Sequence, residues 1–433
     1  MSTPLPTASP RLGIREAGLA GWVQRHGMWL AAAVVLVALP QILKSPVAIS
    51  VMNQMGIAVV FALSYNMLLG QGGMLSFGHA VYFGLGGFVA IHALNLVAQG
   101  SLYLPVALLP VVGALGGLFF AALFGSFSTI RAGTVFAMIS LGIGELIHSS
   151  SLILVKFFGG EEGITGNRTK APPLFSLSFT TDAQVYYLIV FWAFVATALM
   201  YAFSRTPMGR IANAVRDNPE RAEFVGYSQR WARYVSFCAA GLFAGLAGGL
   251  FAVNYEILTV ENVSLTASGS VLLMAYIGGI GFFFGPILGA IVFTFLQSML
   301  SDFTGIWLLY LGILFLATVM FAPAGLAGIL VMHRPAWRAR RLHRLVAPYV
   351  LAAGCALVAA VGVVGLLEMV QFVVSGPAGR VTKRLFWITV PVYTVWPWVV
   401  FATVALAGAW ALWRAAPIAA AAFNDASRPA TRP

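Results

Sequence analysis

The sequence predicts an all-α protein that crosses a membrane many times. Of its 433 residues, 60% are hydrophobic and only 9% are charged, whereas an average soluble domain carries roughly 25% charged residues. Its apolar runs reach about 20 residues, the length at which an α-helix crosses the hydrocarbon core of a bilayer. The runs are continuous, unlike the alternating strands of about 10 residues that build membrane β-barrels. These observations exclude a soluble globular domain and predict a polytopic α-helical membrane protein.

Polar or glycine-rich interruptions of the apolar sequence delimit the predicted spans. A core of about ten spans, which includes one glycine-interrupted pair of half-length segments, is followed by two extra C-terminal spans. In chain order the bounds are 28–43, 51–69, 77–98, 104–127, 133–155, 185–203, 233–256, the interrupted pair within 268–300, 306–331, 345–372 and 388–413. The first run lacks a small-x-small cleavage site and Lys44 follows it, so we expect a retained span rather than a signal peptide.

The basic residues predict the orientation of these spans. If the N-terminal arm 1–27 is cytoplasmic, 18 of the 25 Lys and Arg residues fall on the cytoplasmic side and seven outside, as the positive-inside bias requires. The net charge of +12 is thereby explained without a nucleic-acid partner. Three of the seven exceptions lie together at 380–384, so the last two spans are the least constrained. A polar external loop, 156–183, either folds over the outer mouth or connects two spans.

The longest polar interval, Arg205 to Arg233, carries six arginines and only three acids. Asn218 and Pro219 are suited to start a helix, and Gly226 is suited to end it. We therefore predict a helix over Pro219–Val225, preceded by another over Met208–Val215. This pattern favours a structured docking loop. A passive, solvated connector whose arginines only fix orientation is the alternative.

Two glycine-rich stretches interrupt the apolar pattern, the first at residues 70–79 and the second at residues 278–286. Irregular backbone within a membrane is tolerated where it is buried in protein or lines a water-filled cavity, and such a pair of breaks indicates a transport pathway. Close helix packing through small residues is the alternative. The pathway candidates in these stretches are Gly70, Gly72, Gly73, Ser76, Gly78, His79, Gly278, Gly279 and Gly281.

The sequence contains no motif that predicts catalysis or metal binding. No lysine follows a glycine, so the chain lacks the phosphate-binding loop of an ATPase. Cys238 and Cys355 lie in apolar runs and indicate neither a disulfide nor a metal site. Glu145 is a further pathway candidate because ionisable groups within spans are costly to bury. The alternative that we favour is structural: a hydrogen-bonded pair of Glu145 with His148, one helical turn away, or a placement near a helix end.

Four segments together resemble the permease subunits of branched-chain amino acid ABC importers (LivM/LivH type), most closely the M type. They are NMLLGQGGMLSFGHAVYFGLGGF (66–88), TVFAMISLGIGELIHSSSLILVKFFGGEEGITG (134–166), GRIANAVRDNPERAEFVG (209–226) with the following FCAAGLFAGLAGGLFA, and MAYIGGIGFFFGPILGAIVF (274–293). The resemblance extends over about residues 28–332. It implies that the third segment is the cytoplasmic loop that docks to an ATPase, with coupling roles for Arg216, Asp217, Asn218, Glu220, Ala222, Glu223 and Gly226. Arg221 departs from the small residue that is usual in the family.

The resemblance also implies partners and a location. We expect a multi-pass protein of the bacterial inner membrane that pairs with a second permease subunit of the H type, two ATPase subunits, and a periplasmic or lipid-anchored binding protein. No cofactor is expected on this chain, because ATP and Mg would bind the ATPase subunits. A homodimer of permeases and a heterodimer both remain open.

The predicted organisation is an arm (1–27), a permease domain (28–332) with a coupling loop (204–232), a basic linker (333–344), and a C-terminal extension (345–433) that the resemblance does not cover. The resemblance implies import of branched-chain amino acids, with urea, short amides and aromatic acids as alternatives. An ion-coupled secondary transporter that depends on Glu145, and a non-transporting membrane scaffold, are the rival functions.

Overall fold

The computed structural model describes residues 19–172, 179–375, 381–386 and 388–427, with side chains from Trp29 onward, and most of these residues are helical. The N-terminal arm up to residue 18, six residues of the external loop 156–183, and Arg380, Arg428 and Arg432 lie outside the described residues. In chain order the helices are α1 (Leu19–Ile42), α2 (Pro46–Asn66), α3 (Ala80–Ala98), α4 (Leu109–Ser128), α5 (Thr134–Ile153), α6 (Val155–Phe158), α7 (Asp182–Arg205), α8 (Pro207–Asp217), α9 (Pro219–Phe224), α10 (Gln229–Tyr255), α11 (Leu265–Gly278), α12 (Gly285–Phe303), α13 (Trp307–Phe321), α14 (Gly325–Met332), α15 (Arg334–Arg338), α16 (His343–Ser375) and α17 (Val395–Ser427).

Shorter elements join these helices. A π-helical turn, Met67–Gln71, continues α2. Two antiparallel strand pairs are formed by β1 (Ile164–Thr165) with β2 (Ile257–Leu258), and by β3 (Thr382–Leu385) with β4 (Ile388–Pro391). Single 3-10 turns lie at Val106–Leu108, Gly160–Glu162, Arg168–Lys170 and Val260–Val263.

The helices confirm the predicted fold class. Within the described ranges, nine helices are long and apolar enough to cross a membrane, and the bent pair α13–α14 makes a tenth. Two shorter apolar helices, Trp29–Ile42 and α11, accompany them. The protein is therefore an all-α, multi-pass membrane protein.

Helix α10 is largely buried in the bundle and packs on α3 and α4, which also contact each other. Its small-residue stretch lets the backbones approach closely: a Cβ on Gly245 would lie 2.7 Å from Gly117 Cα of α4. Helices in lipid associate through such close contacts, because the hydrophobic effect supplies no force between them there. The glycines of α10 therefore bring this helix close to α4.

Two predicted boundaries were wrong. The segment after the second glycine-rich stretch is not half-length, since α12 runs for 19 residues and can itself cross a membrane. The last span does not begin at residue 388, because Ile388–Pro391 is strand β4 and α17 starts only at Val395. Strand β4 replaces the predicted start of the last span because Ile388, Thr389 and Val390 are β-branched, which favours a strand, and because Pro391 disfavours a helix interior.

The C-terminal extension is a helical hairpin of α16 and α17 at the edge of the core. The two helices approach closely where Gly362 of α16 lies against Ala405 of α17. A buried cluster ties the hairpin to the core: Glu368 accepts hydrogen bonds from Tyr310 of α13 (2.8 Å) and from Lys383 of β3 (2.7 Å). The carboxylate of Glu368, within the long apolar helix α16, is therefore paired.

Candidate functional site

The coupling loop consists of two short helices, α8 and α9, whose ends are capped as predicted. The Asn218 side chain accepts a hydrogen bond from the Arg221 backbone N–H (2.9 Å) at the start of α9. Gly226 has φ +93° and follows the end of α9, where the Tyr227 N–H donates to the Ala222 carbonyl (3.0 Å). Such a left-handed turn satisfies the last carbonyls of a helix. The predicted helices are confirmed to within two residues at each end.

A small apolar cluster holds this loop in place beneath the bundle. Val215 of α8, Ala222 of α9 and Ala232 of α10 are buried together. Ala222 is thus an internal packing residue, whereas the other loop candidates are exposed: Arg216, Asp217, Asn218, Glu220, Glu223 and Gly226. The exposed carboxylate of Glu223 accepts a hydrogen bond from Gln229 (2.6 Å), which joins α9 to the start of α10.

The tip of the loop presents two exposed apolar side chains that sequence reasoning missed. Phe224 is 91% exposed and Val225 is 70% exposed. Apolar side chains that project from a rigid, polar loop are typical of an interface with another protein. The signal in the sequence was the apolar pair Phe224-Val225 directly after Glu223, in the longest polar interval of the chain.

Arg216 is turned from the loop towards the bundle. Its guanidinium Nη1 donates a hydrogen bond to the Gly70 carbonyl, and its Nη2 lies 2.8 Å from Asp217 Oδ1. Its aliphatic stem covers Gly73, whose φ is +66° and whose Cβ, if present, would lie 2.7 Å from Arg216 Cγ. The coupling loop and the first glycine-rich stretch therefore meet directly.

The first glycine-rich stretch is a buried connection between α2 and α3. Ser76 and His79 are buried, at 0% and 1% exposure. Tyr65 donates to the Ser76 carbonyl (3.1 Å), and Ser64 Oγ lies 3.0 Å from His79 Nε2. Serines of two other helices bind the backbone of the connection, since Phe77 N–H donates to Ser140 of α5 and Ala80 N–H to Ser268 of α11, both at 3.0 Å.

Several buried polar atoms of this stretch have no hydrogen-bond partner among the described residues. They are Asn66 Oδ1, Gln71 Oε1, Ser76 Oγ and His79 Nδ1. A buried polar group without a partner costs about 1–3 kcal/mol. Four such atoms within 14 residues are consistent with a place where water or a polar solute supplies the missing partners.

The two glycine-rich stretches contact each other, and we call this contact region the glycine-rich junction. A Cβ on Gly70 would lie 2.6 Å from the Ile280 carbonyl oxygen. Gly279, with φ +106°, packs on the bend between α13 and α14, where a Cβ would clash with the Ala324 carbonyl. Gly278 packs on Gly285 at the start of α12, whereas Gly281 is exposed and a Cβ there would meet no atom within 4 Å.

Helix α5 flanks this junction and carries Glu145 on its open side. Gly78 packs against the Ser140 carbonyl of α5, and Gly144 lies close to Gly78. Glu145 is exposed and forms no hydrogen bond or ion pair with any described residue. The predicted pairing of Glu145 with His148 is therefore absent from the described part of the chain. The structure brings the glycine candidates together, but it leaves Glu145 on a separate face.

On the opposite side of the bundle, Arg168 organises the external loop, a role that sequence reasoning missed. This residue is 7% exposed and donates to the carbonyls of Phe179, Val253 and Asn254 at 3.0–3.1 Å. Its guanidinium also pairs with Asp182 (3.3 Å). In the sequence it was only one of seven external basic residues, and nothing marked it as buried.

Comparisons with known proteins match this architecture. The profile of the family described as "Branched-chain amino acid transport system / permease component" matches residues 47–334. The high-affinity branched-chain amino acid transport permease protein LivM of Escherichia coli K12 is 26% identical over 346 residues, which cover 73% of this chain and 77% of that protein. LivH of Salmonella typhimurium is 24% identical over 263 residues, 56% of this chain and 82% of that protein. The guanosine ABC transporter permease protein NupQ of Bacillus subtilis is 27% identical over 43% of this chain and 59% of its own length. No solved structure matches.

Proposed function

The chain belongs to the family of permease components of branched-chain amino acid transport systems, and we propose that it forms part of the translocation path of an ATP-driven importer in a bacterial inner membrane. The observation that carries this proposal is the hydrogen bond from Arg216 to the Gly70 carbonyl. It joins a rigid, exposed loop to the buried glycine-rich junction of the bundle. Such a junction can transmit a movement of the loop to the interior.

The energy source in this proposal lies on other subunits. The sequence has no phosphate-binding loop, so two separate ATPase subunits would bind ATP and Mg. Phe224 and Val225, with the exposed loop residues Asp217, Asn218, Glu220 and Glu223, offer the surface on which they would dock. ATP binding changes the conformation only if the ATPases hold the loop differently in the two states.

The path itself is proposed to run beside the glycine-rich junction. The buried atoms without partners, Ser76 Oγ and His79 Nδ1 among them, support a polar lining there. We propose that the open side of α5, which carries Glu145, forms a second wall of the path. An exposed carboxylate within a span is costly where it faces lipid, so this side is expected to face the path or another protein. A second permease subunit would cover this side, as the similarity of this chain to both LivM and LivH proteins suggests.

Branched-chain amino acids are the proposed substrates, delivered by a binding protein on the outer side. The glycine-rich junction contains no charged side chain of its own, and this favours a solute without net charge. Guanosine is the second candidate, because a relative named as a guanosine permease matches part of the chain. Both solutes are neutral overall, so the path alone does not distinguish them.

The proposal is tested by purifying the tagged chain from gently solubilised native membranes and identifying the proteins that accompany it. We expect an ATPase with a phosphate-binding loop, and a second multi-pass permease. The purified complex in liposomes should accumulate leucine or guanosine only with ATP and the binding protein. If the chain purifies alone and transports without ATP, and if the substitution Glu145→Gln abolishes that transport, the protein is instead a secondary transporter.

A further inference from the structure

The segment between α14 and α16 concentrates basic residues where two membrane helices end. Helix α14 ends at Met332, the five-residue α15 follows, and α16 begins at His343. Five arginines lie within 11 residues, at positions 334, 338, 340, 341 and 344. The positive-inside bias places this segment at the cytoplasmic surface.

Three of these arginines converge on one open cavity. The cavity has a volume of about 440 Å³ and is lined by Arg334, Trp337, Arg338 and Arg340. None of the three guanidinium groups forms a hydrogen bond or an ion pair with a described residue. The chain offers few acids here, since only Glu368 and Asp425 occur after residue 332, and Glu368 pairs with Lys383. Arg334, Arg338 and Arg340 therefore concentrate positive charge in the cavity without an ion-pair partner among the described residues.

The C-terminal hairpin holds this cavity in a fixed shape. Ala336 of α15 is fully buried against Leu345 of α16 and Ala426 of α17. His333, next to α15, lies 2.8 Å from the Tyr349 hydroxyl of α16 and packs its ring on Phe423 of α17. These contacts come from both helices of the extension, so the extension positions the arginines.

Exposed apolar side chains lie in the lining of the charged cavity, at Trp337, and on the adjoining ends of α14 and α16, at Leu330 and Val346. Leu330 is 64% exposed, Trp337 is 72% exposed and Val346 is 58% exposed. Further along the hairpin, Arg414 lies over the rings of Trp410 and Trp413, at 5.5 and 5.4 Å. Tryptophan and arginine together are typical of the interface between hydrocarbon and water. A soluble anion would use the arginines but leave the apolar rim exposed to water.

We propose that this cavity binds the phosphate headgroup of an anionic phospholipid of the cytoplasmic leaflet. Arg334, Arg338 and Arg340 bind the phosphate oxygens, since guanidinium groups match phosphate in geometry and charge. Trp337, Leu330 and Val346 contact the glycerol and the upper acyl chains. Basic pockets beside membrane helices on the cytoplasmic side bind acidic headgroups in this way. The C-terminal extension thereby acquires a role as the support of a lipid site.

The test measures lipid retained by the full-length chain in its purified complex. The complex is titrated in detergent with phosphatidylglycerol or phosphatidylcholine, and bound lipid is counted by native mass spectrometry. The triple variant Arg334→Gln, Arg338→Gln, Arg340→Gln should bind phosphatidylglycerol roughly 100-fold more weakly, at roughly fivefold for each basic residue. The single variant Arg338→Gln should lose roughly fivefold, which keeps the test available if the triple variant does not fold.

The matched control is the triple variant Lys44→Gln, Lys156→Gln, Lys170→Gln, which removes the same charge from the other side. It should retain phosphatidylglycerol binding. Equal loss in both triple variants, or unchanged binding in the arginine variant, would overturn the proposal. Displacement of the lipid by millimolar inorganic phosphate would identify a site for a free anion. Loss of the ATPase from the arginine variant with lipid binding unchanged would identify a protein contact.

Discussion

At the scale of single residues, Arg216 is a side chain that contacts both the surface loop and the interior of the bundle. Its sequence position placed it among the loop residues that would contact an ATPase. In the structure its guanidinium binds Asp217 at the surface and the Gly70 carbonyl inside, and its stem covers Gly73. Arg216 is therefore a positioning residue between the loop and the bundle.

We expect Arg216→Ala to reduce ATP-driven uptake without releasing the ATPase. A hydrogen bond from a charged donor contributes about 1.5–3 kcal/mol, so the loss should be roughly 10- to 100-fold. Uptake, ATP hydrolysis and ATPase co-purification are measured on the same preparation. Arg221→Ala, which removes an exposed arginine of the same loop, is the control. Loss of the ATPase from Arg216→Ala would make Arg216 a docking contact instead.

Gly73 is a position where a side chain would be strained, because its φ is +66° and the stem of Arg216 covers it. We expect Gly73→Ala to lower the free energy of unfolding by about 1–2 kcal/mol for the left-handed backbone alone, and by more because the new Cβ meets Arg216 Cγ. Thermal unfolding of the purified protein and uptake are both measured. Gly269→Ala in α11, where no atom lies within 4 Å of the new Cβ, should be neutral or stabilising. Equal effects of the two substitutions would contradict this prediction.

At the scale of elements, capped helices hold the predicted coupling loop in one conformation. Asn218 starts α9, Gly226 follows its end, and the Val215–Ala222–Ala232 cluster fixes α8 and α9 against α10. A loop held in this way loses little conformational entropy when a partner binds. Its exposed tip is consequently suited to a tight contact.

We expect Phe224→Ala to weaken binding of the ATPase by about 2 kcal/mol, or roughly 30-fold, if Phe224 is the central contact of the interface. The stability of the chain should be unchanged, because the side chain is 91% exposed. Affinity is measured with the purified ATPase and the permease complex in nanodiscs. Tyr103→Ala, at an 84% exposed aromatic residue outside the loop, should leave binding unchanged. Unchanged binding by Phe224→Ala would remove the tip from the interface.

At the scale of the whole molecule, a family core and a peripheral hairpin are joined at two places. On one side Tyr310 of α13 binds Glu368, and on the other His333 packs against Tyr349 and Phe423. The two glycine-rich stretches, the coupling loop and α10 lie within the core. The hairpin contributes no residue to that junction among those described.

Truncation after Arg344 should therefore leave ATP-driven uptake intact while it weakens binding of anionic phospholipid. Uptake and retained phosphatidylglycerol are measured together on the truncated and full-length complexes. The double variant His333→Ala, Tyr349→Phe removes the contact of His333 with the hairpin but keeps both helices. It should weaken phosphatidylglycerol binding as the truncation does. If the truncated core fails to assemble with its partners, the hairpin is an obligatory interface.

The sequence alone determined the fold class, most span positions and the caps of the coupling loop. These features depend on local properties: hydropathy over about 20 residues, and the capping chemistry of Asn218, Pro219 and Gly226. Strand β4 was missed because the run from residue 388 to 413 is apolar throughout, and hydropathy does not distinguish a strand from a helix there.

Only the tertiary structure decided which of the distant residues meet. Arg216 and Gly70 are separated by 146 positions, yet they form the contact on which the coupling proposal depends. Gly70 meets Ile280, the burial of Arg168 depends on carbonyls of α10, and the arginine cavity takes its shape from both ends of the C-terminal hairpin. Such contacts are set by how helices pack on one another, and the chemical pattern along the chain does not contain this information.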